Sequence, residues 1–486
     1  MAGRTNVLIA GAGPVGLTLA NELTRYGIAV RIVDTAPERT DKSKALVLWS
    51  RTLELFDQAG YVADFLSAGM PGHGAVISNG KETIARIELD GIESRYPYAL
   101  MIPQSETERI LEERLERQGV KVERTVTLEK FTDLGPETEA VVRRADGESE
   151  QIDTDWLIGC DGAHSAVRHG LGLAFEGTTQ PSDWYLADGH ISGLEPQDHL
   201  HITWHKDGIL AFFPITAGRW RVVADLGPAE GEGHHPDPTQ EEVQALMTAR
   251  GSKAVLTDPY WLASFRINER KVSRYGQGRV FLAGDAAHIH SPAGGQGMNT
   301  GMQDAFNLAW KLGLVIGGTC KPALLDSYSI ERSAVGDMVL RNASRMTEAA
   351  IMRNPITQGL RNAVAKFVLG FPQLQHRAAN TLAELDIAYA DSPLSVNGAH
   401  RPTGRRAGER WPEKLPAPKD KARFIALGPG RVVTDLASSF PRLVQAAPEG
   451  GEDLHLIRPD GYVGFAGTGA DGDGAAAYLE ALVARG

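Results

Sequence analysis

Cysteine is scarce in this sequence: Cys160 and Cys320 are the only two among 486 residues. Two cysteines cannot build a disulfide framework or a cysteine-based zinc site, and they favour a cytoplasmic protein. Long hydrophobic runs are missing as well. The longest, such as Leu312–Ile316, fall far short of the roughly 20 apolar residues that a membrane-spanning helix needs. We therefore expect no membrane association.

Positive charge is also in deficit, since 50 Lys and Arg stand against 61 Asp and Glu, for a net charge of −11. This balance argues against nucleic acid as a partner. No set of zinc-type ligands is apparent; His288 and His290 are better explained as structural or loop histidines, so we expect no metal. A hydrophobic fraction of 42% excludes a mostly disordered chain. The length predicts two to four domains.

Glycine, by contrast, is abundant and its placement is informative. The run Gly11-Ala12-Gly13-Pro14-Val15-Gly16 follows the apolar stretch Val7–Ala10 and precedes residues with helical spacing. This strand–turn–helix pattern is typical of a dinucleotide site, in which the turn admits a pyrophosphate at the helix N-terminus. Asp34, at the end of the next predicted strand, is placed to bind ribose hydroxyls. Arg51–Phe65 predicts a further helix, and Ser105-Glu106-Thr107-Glu108 predicts a capping box that opens another.

Two later segments favour a flavin. The predicted strands that begin at Trp156 and Arg279 end at Asp161 and Asp285. Because ligands bind beyond the carboxyl ends of strands in open α/β sheets, we expect these acids to converge on one crevice. Asp285 can accept hydrogen bonds from a ribityl chain. The loop Pro292–Gly297 has almost no side chains, so a flat ring can lie against it, and the following helix would favour an anionic reduced flavin.

Together these motifs resemble those of the single-component FAD-dependent aromatic monooxygenases, the family of para-hydroxybenzoate hydroxylase and phenol hydroxylase. The branch that hydroxylates polyketides and rifampicin is the most similar, over roughly residues 5–390. The resemblance implies an α/β fold, in which a Rossmann-like FAD-binding domain is interrupted by a β-rich substrate domain and followed by a small thioredoxin-like domain.

We assign domain boundaries on this basis. Residues 1–70, 101–172 and 276–395 form the FAD-binding domain, and 71–100 with 173–275 form the middle β-rich substrate domain. Residues 396–423, rich in proline and basic residues, are predicted to be a solvated linker. Residues 424–486 form the C-terminal thioredoxin-like domain, which contains no cysteine, so thiol redox chemistry is excluded there.

The resemblance also assigns cofactor roles residue by residue. The positions that would contact FAD are Gly11, Gly13, Pro14 and Gly16 at the pyrophosphate, Asp34 at the adenosine ribose, Lys44 and Val47 near the flavin, Gln104 and Asp285 at the ribityl chain, Asp161, and Pro292, Gly295, Gly297, Met298 and Asn299 at the flavin's pyrimidine side. Lys44 stands where many relatives have arginine. Asp161 and Arg168 would also contact NAD(P)H.

The implied mechanism uses FAD, NADPH or NADH, and O2. The reduced flavin forms a C4a-hydroperoxide with O2 and transfers one oxygen atom to an aromatic or polyketide-like small molecule. Two alternatives remain: an FAD-dependent reductase or dehydrogenase of the same fold, and a flavin-binding protein with little turnover. A monomer and a homodimer are both compatible with the sequence.

Substrate contacts are less defined by sequence. We consider Trp184, Trp204, Phe212, Phe213 and Pro292 as candidates, with Tyr98 as a further one; ordinary core packing is the alternative for each. His73 could act as the base that deprotonates a phenol, because a neutral imidazole near pH 7 suits that role. The alternative is a loop histidine between Gly72 and Gly74.

Overall fold

The computed structural model describes residues 3–228, 235–416 and 421–484. Part of the predicted linker, 417–420, lies outside the described residues, as do the first two and last two residues of the chain. Short 3-10 turns at Gly284–Ala286, Pro322–Leu325 and Gly469–Asp471 separate some of the elements.

The strands of the described residues alternate with helices at both ends of the chain and form long runs in its middle. They are β1 Gly3–Ala10, β2 Val30–Asp34, β3 Val47–Leu48, β4 Met70–Gly72, β5 Gly74–Ser78, β6 Thr83–Glu88, β7 Ala99–Met101, β8 Val122–Arg124, β9 Thr127–Asp133, β10 Thr138–Arg143, β11 Ser149–Gly159, β12 Glu176–Ser192, β13 His199–His205, β14 Gly208–Thr216, β15 Arg219–Pro228, β16 Val255–Lys271, β17 Gly276–Gln277, β18 Val280–Leu282, β19 His288–Ile289, β20 Val396–Asn397, β21 Phe424–Gly428, β22 Val444–Pro448, β23 Asp453–Ile457 and β24 Val463–Thr468.

The described residues also form α-helices. They are α1 Pro14–Arg25, α2 Ser50–Gln58, α3 Val62–Ala68, α4 Gln104–Arg117, α5 Ala166–Gly170, α6 Gln240–Ala249, α7 Gly297–Ile316, α8 Asp326–Ala350, α9 Pro355–Val368, α10 Pro372–Leu382, α11 Gly430–Ser439 and α12 Gly472–Leu482.

The first sheet is built on parallel strands in the order β18-β11-β1-β2-β8. Antiparallel β17 pairs with β18, while β10 and β9 extend from β11. The central strand β1 carries Val7, Leu8 and Ile9, which are fully buried because both faces of the sheet are covered. As a result, the carboxyl ends of four adjacent parallel strands, β18, β11, β1 and β2, lie along one edge.

The second sheet has the order β19-β16-β12-β15-β14-β13-β5-β6 and is antiparallel except for the β13–β5 pair. One of its faces packs against α6, with Phe212, Trp220 and Met247 in the core between them. The other face turns toward the loop that precedes β3. A small sheet has the order β3-β7-β4. Its strands come, in sequence, between strands of the first sheet and strands of the second.

A third large sheet, β20-β24-β23-β21-β22, lies at the C-terminal end of the chain. We call this sheet together with α11 and α12 the C-terminal module. Its core includes Phe424, Leu454 and Phe465, and it continues into Trp310 of α7. The module therefore shares a hydrophobic core with the helix that leads away from the predicted flavin loop.

Three local sequence predictions are corrected. The segment expected to be one helix, Arg51–Phe65, is two, because the chain turns at Gly60 with φ +84°. The capping box is wrong: α4 begins at Gln104, and the N–H of Ser105 donates to the side chain of Ser43 instead (3.1 Å).

The predicted linker is also not uniformly solvated, since Arg410 within it is 5% exposed. Its Nη1 donates to both carboxylate oxygens of Glu54 in α2, at 2.9 and 3.0 Å. The physical reason is that a buried carboxylate must be paired: Arg51 of α2 donates to Oε2 of Glu54 at 3.1 Å, and Arg410 supplies the second cation.

Candidate functional site

The glycine turn after β1 has the geometry of a phosphate cradle. Gly11 has φ +101°, and a Cβ there would lie 2.3 Å from the carbonyl oxygen of Cys160. A Cβ on Gly16 would lie 2.0 Å from the carbonyl oxygen of Gly11, so only glycine allows α1 to approach the turn. Gly13 differs, because its Cβ would meet no atom within 4 Å. The space beside Gly13 lies at the N-terminus of α1, which Pro14 begins, and fits a pyrophosphate.

Asp34 lies next to this turn. Its Oδ2 accepts the N–H of Ala12 at 2.6 Å, and its Oδ1 accepts the N–H of Ala36 at 2.8 Å. These two bonds orient the carboxylate, and each oxygen retains a lone pair for a ligand hydroxyl. The arrangement fits the predicted contact with a ribose.

The loop before β3 carries Lys44, whose side chain is exposed. The N–H of Ala45 donates to Oε1 of Gln104 at 3.2 Å, so Gln104 lies against the same loop. Arg221 of β15 reaches this loop from the second sheet: its Nη1 donates to the carbonyl of Lys44 at 2.7 Å, and its Nη2 donates to the carbonyl of Ser43. Asp188 holds the guanidinium of Arg221 at 2.7 Å.

Sequence reasoning missed Arg221. The only signal that could have indicated it is a charged residue between the apolar Trp220 and Val222 of a strand. Such a residue, 3% exposed here, requires a buried partner. The sequence does not show which partner.

Asn299 connects the loop before α7 to β3. Its Nδ2 donates to the carbonyls of Val47 (2.9 Å) and Gly295 (3.1 Å), and its Oδ1 accepts the N–H of Trp49 at 2.8 Å. Gly295 has φ +64°, and a Cβ there would lie 2.5 Å from Val47 Cγ1. Val47, Gly295 and Asn299, all three predicted as flavin contacts, are therefore brought together, with Met298 next to them at the N-terminus of α7.

Asp285 lies in the turn after β18. The residue is exposed, but the surrounding protein removes enough hydration from its carboxyl group to raise the pKa. Asp304 fixes the preceding residue, Gly284, because Oδ2 of Asp304 accepts the N–H of Gly284 at 3.0 Å. The same oxygen accepts a hydrogen bond from Nε2 of His288 at 2.7 Å. Burial opposes the charge of Asp304, but Arg332 (2.6 Å) and His288 outweigh it and keep the pKa of that carboxyl low.

Asp161 and Arg168 occupy the turn after β11. Oδ2 of Asp161 accepts the N–H of Val167 at 3.1 Å, and burial raises the pKa of its carboxyl. Arg168 is 3% exposed and donates to the carbonyls of Ala286 (3.1 Å) and Ala163 (2.8 Å). It thus ties this turn to that of Asp285, and its contact with NAD(P)H stays a prediction.

The aromatic candidates separate by sheet face. Phe212 is 1% exposed in the core under α6, whereas Phe213, on the opposite face of β14, packs against the cluster that includes Val47 and Trp49. Trp184 is buried and stacks on Phe265, with 6.2 Å between the ring centroids. The guanidinium of Arg361 lies over the ring of Trp204, 4.6 Å from its centroid. Pro292 is exposed.

His73 and Tyr98 lie near one another, with ring centroids 6.3 Å apart. Nδ1 of His73 is 3.4 Å from Oδ1 of Asp90, and its side chain is 41% exposed. Its role as a base stays a prediction. Next to the loop Pro292–Gly297, burial lowers the pKa of His290 to about 4, so that ring is neutral near pH 7.

No group of three His, Cys, Asp or Glu side chains is arranged to hold a metal ion within residues 3–228, 235–416 and 421–484. In the same part of the chain, no helix is both long and apolar enough to cross a membrane.

Comparison with known proteins places these features in a family. A family model described as "FAD binding domain" matches residues 4–343. The 6-methylpretetramide 4-monooxygenase of Streptomyces rimosus is 36% identical over 98% of this chain and 93% of its own length. Rifampicin monooxygenase of Streptomyces venezuelae is 32% identical over 95% of each. The structure of OxyS anhydrotetracycline hydroxylase from Streptomyces rimosus superposes with a TM-score of 0.82 at 30% identity, over 99% of both chains. The predicted α/β fold is confirmed.

Proposed function

The chain belongs to the FAD binding domain family, and from that premise we propose that it is a monooxygenase that hydroxylates an aromatic or polyketide-like small molecule with NAD(P)H and O2. The family match confirms FAD as the cofactor. The observation that carries the proposal is similarity along nearly the whole chain to named monooxygenases. The same similarity favours this function over a reductase or a flavin-binding protein.

In the proposed reaction, NAD(P)H gives up a hydride, one oxygen atom of O2 enters a ring C–H bond of the substrate, and the other leaves as water with one proton from solvent. Bound FAD supplies the transfer of these electrons to O2 and the activation of oxygen. The protein supplies binding, orientation and protection from water.

The site geometry supports the following proposal for the residues that would hold FAD. The cradle beside Gly13 would take the pyrophosphate, Asp34 the adenosine ribose, and Asp285 the ribityl hydroxyls, since each lies where a parallel strand of the first sheet ends. Asn299 fixes the backbone of Val47 and Gly295, which would contact the flavin, and the positive end of α7 would stabilise negative charge there.

We also propose that the substrate lies between this flavin position and the face of the second sheet that carries Phe213. That face reaches the loop before β3 through the bond from Arg221 to the carbonyl of Lys44. Trp184 and Trp204 are further candidates there, and Phe212 is a core residue by its burial. A largely apolar wall suits a fused aromatic ring system.

The test uses the purified holoenzyme with anhydrotetracycline, rifampicin and phenol as probes. We expect at least one polyketide probe to stimulate NAD(P)H consumption, with equal O2 uptake and one ¹⁸O atom from ¹⁸O2 in the product. Nucleotide consumption that continues unchanged without O2 would point to a reductase. Bound FAD with neither nucleotide consumption nor O2 uptake would point to a binding protein.

We propose a cytoplasmic monomer or homodimer, supported by the free, buried state of both Cys160 and Cys320. Light scattering on the eluted holoenzyme distinguishes the two oligomeric states. A larger assembly would contradict both.

A further inference from the structure

The C-terminal module inserts a charged side chain into the FAD-binding part of the chain. Arg458 follows β23, is 0% exposed, and donates from Nη1 and Nη2 to the two carboxylate oxygens of Glu331 at 2.7 and 2.9 Å. Nη2 also donates to Asp460 at 2.6 Å. Such a bidentate pair has a fixed geometry that a surface ion pair lacks. Arg458 therefore holds α8, which carries Glu331, in one position relative to the module.

Glu331 collects further donors from α7. Nζ of Lys311 donates to it at 2.8 Å and Nδ2 of Asn307 at 2.7 Å, and all these side chains are essentially excluded from solvent. Two cations, Arg458 and Lys311, balance two carboxylates, Glu331 and Asp460. Because an unpaired buried charge is costly, this arrangement is stable only while the module is docked on both helices.

The same two helices hold the turn of the FAD site. Arg332, next to Glu331 on α8, donates to Asp304 at 2.6 Å, and Asp304 lies one turn before Asn307 on the same face of α7. Asp304 in turn accepts the N–H of Gly284, next to Asp285 (3.0 Å). Two sets of buried, charge-assisted bonds, one on Glu331 and one on Asp304, are thus joined through the backbone of α7 and α8 and link the C-terminal module to the predicted ribityl contact.

We propose that Arg458 is a positioning residue of the FAD site: by fixing α7 and α8 it fixes the Gly284–Asp285 turn, so that FAD binding and docking of the C-terminal module are coupled. The proposal rests on FAD binding and not on oxygen transfer, so it can be tested whether or not hydroxylation is found. It assigns the module a role that requires no thiol.

Arg458→Lys is the first test, on the full chain. Lysine keeps the charge but cannot bind both Glu331 and Asp460 with the same fork of donors. Arg442→Lys is the matched control, since Arg442 is exposed and also joins the module to the end of α7, through the carbonyl of Gly317 at 2.6 Å. We expect Arg458→Lys to raise the Kd for FAD at least about tenfold and to accelerate amide exchange at Gly284, and the control to change neither.

A purely structural role would lower the thermal stability of the apoprotein and leave the Kd for FAD unchanged, which overturns the proposal. A second measurement needs no variant and remains decisive even if Arg458→Lys does not fold. Because coupling is reciprocal, FAD must slow amide exchange in the native turn where the N–H of Arg458 donates to the carbonyl of Tyr462 (2.8 Å). Equal exchange there with and without FAD also overturns the proposal.

Discussion

Nη1 of Arg221 donates to the backbone carbonyl of Lys44 across 2.7 Å and 177 positions of sequence. This bond joins the β-rich sheet to the loop that reaches the predicted flavin position. The other contacts of this loop come from α4, where Ser105 and Gln104 bond to Ser43 and Ala45. Arg221 therefore adds the link between this loop and the opposite wall of the proposed substrate space.

Replacement of Arg221 by lysine should weaken FAD binding and lower kcat while the protein still folds. A single ammonium group cannot bind Asp188 and both loop carbonyls at once. Flavin fluorescence titration and steady-state kinetics measure the two effects. Arg219→Lys is the control, since Arg219 lies on the same strand over the ring of Tyr260, 4.0 Å from its centroid. Equal behaviour of the two variants would show that the loop does not need Arg221.

Gly13→Ala and Gly16→Ala should have different consequences. A methyl group on Gly13 meets nothing within 4 Å, so the apoprotein should keep its stability and lose FAD affinity, because the methyl occupies the cradle. A methyl group on Gly16 would lie 2.0 Å from the Gly11 carbonyl, so this variant should be destabilised even without FAD. Thermal unfolding of both apoproteins and FAD titration separate the effects. Undiminished FAD affinity in Gly13→Ala would rule out the cradle as the pyrophosphate site.

Phe212→Ala and Phe213→Ala provide a matched pair on opposite faces of one strand. Loss of Phe212 from the core should cost about 3–5 kcal/mol of unfolding free energy. Loss of Phe213 should cost less and should raise the KM of an accepted aromatic substrate several-fold, because it faces the proposed substrate space. Urea denaturation measures the loss of unfolding free energy, and steady-state kinetics with one substrate measure the change in KM. An unchanged KM in Phe213→Ala would remove it from the substrate site.

Stability should fall with rising pH through Glu384, a residue the sequence analysis did not identify. Burial raises the pKa of its carboxyl from 4.5 to about 8 in the folded state. Between those values the folded protein holds the proton more tightly than the unfolded chain, so the unfolding free energy decreases as pH rises from 4.5 to 8. The contribution of this group is at most about 1.4 kcal/mol per pH unit.

Urea denaturation of wild type and Glu384→Gln between pH 5 and 9 measures this contribution. Glu384 accepts bonds from Thr300 and Gln303 of α7, both at 2.6 Å, and the amide of the variant can keep the first of these. The variant should show a flatter pH profile than wild type, whereas the exposed control Glu348→Gln should match wild type. Parallel profiles for all three proteins would mean that Glu384 is ionised throughout.

Local motifs were predictable because their physics is local. The turn from Gly11 to Gly16 depends on backbone conformation and close approach within a few residues, and the order of strand, acid and glycine loop repeats at Asp161 and Asp285. The helix boundary at Gly60 and the capping of α4 were missed because a turn and a distant serine replaced the expected local interactions.

The sequence by itself therefore determined the α/β class, the FAD cofactor and the resemblance to aromatic monooxygenases. Only the tertiary structure decided that Phe212 faces the core under α6 and Phe213 the cluster around Val47. It also decided that Arg221 binds the carbonyl of Lys44 and that Arg458 reaches Glu331. Arg458 and Glu331 are 127 positions apart. A buried charge requires a partner, but the local sequence does not specify which residue that partner is. The choice of partner is made when whole sheets and helices pack, and no pattern within one segment contains it.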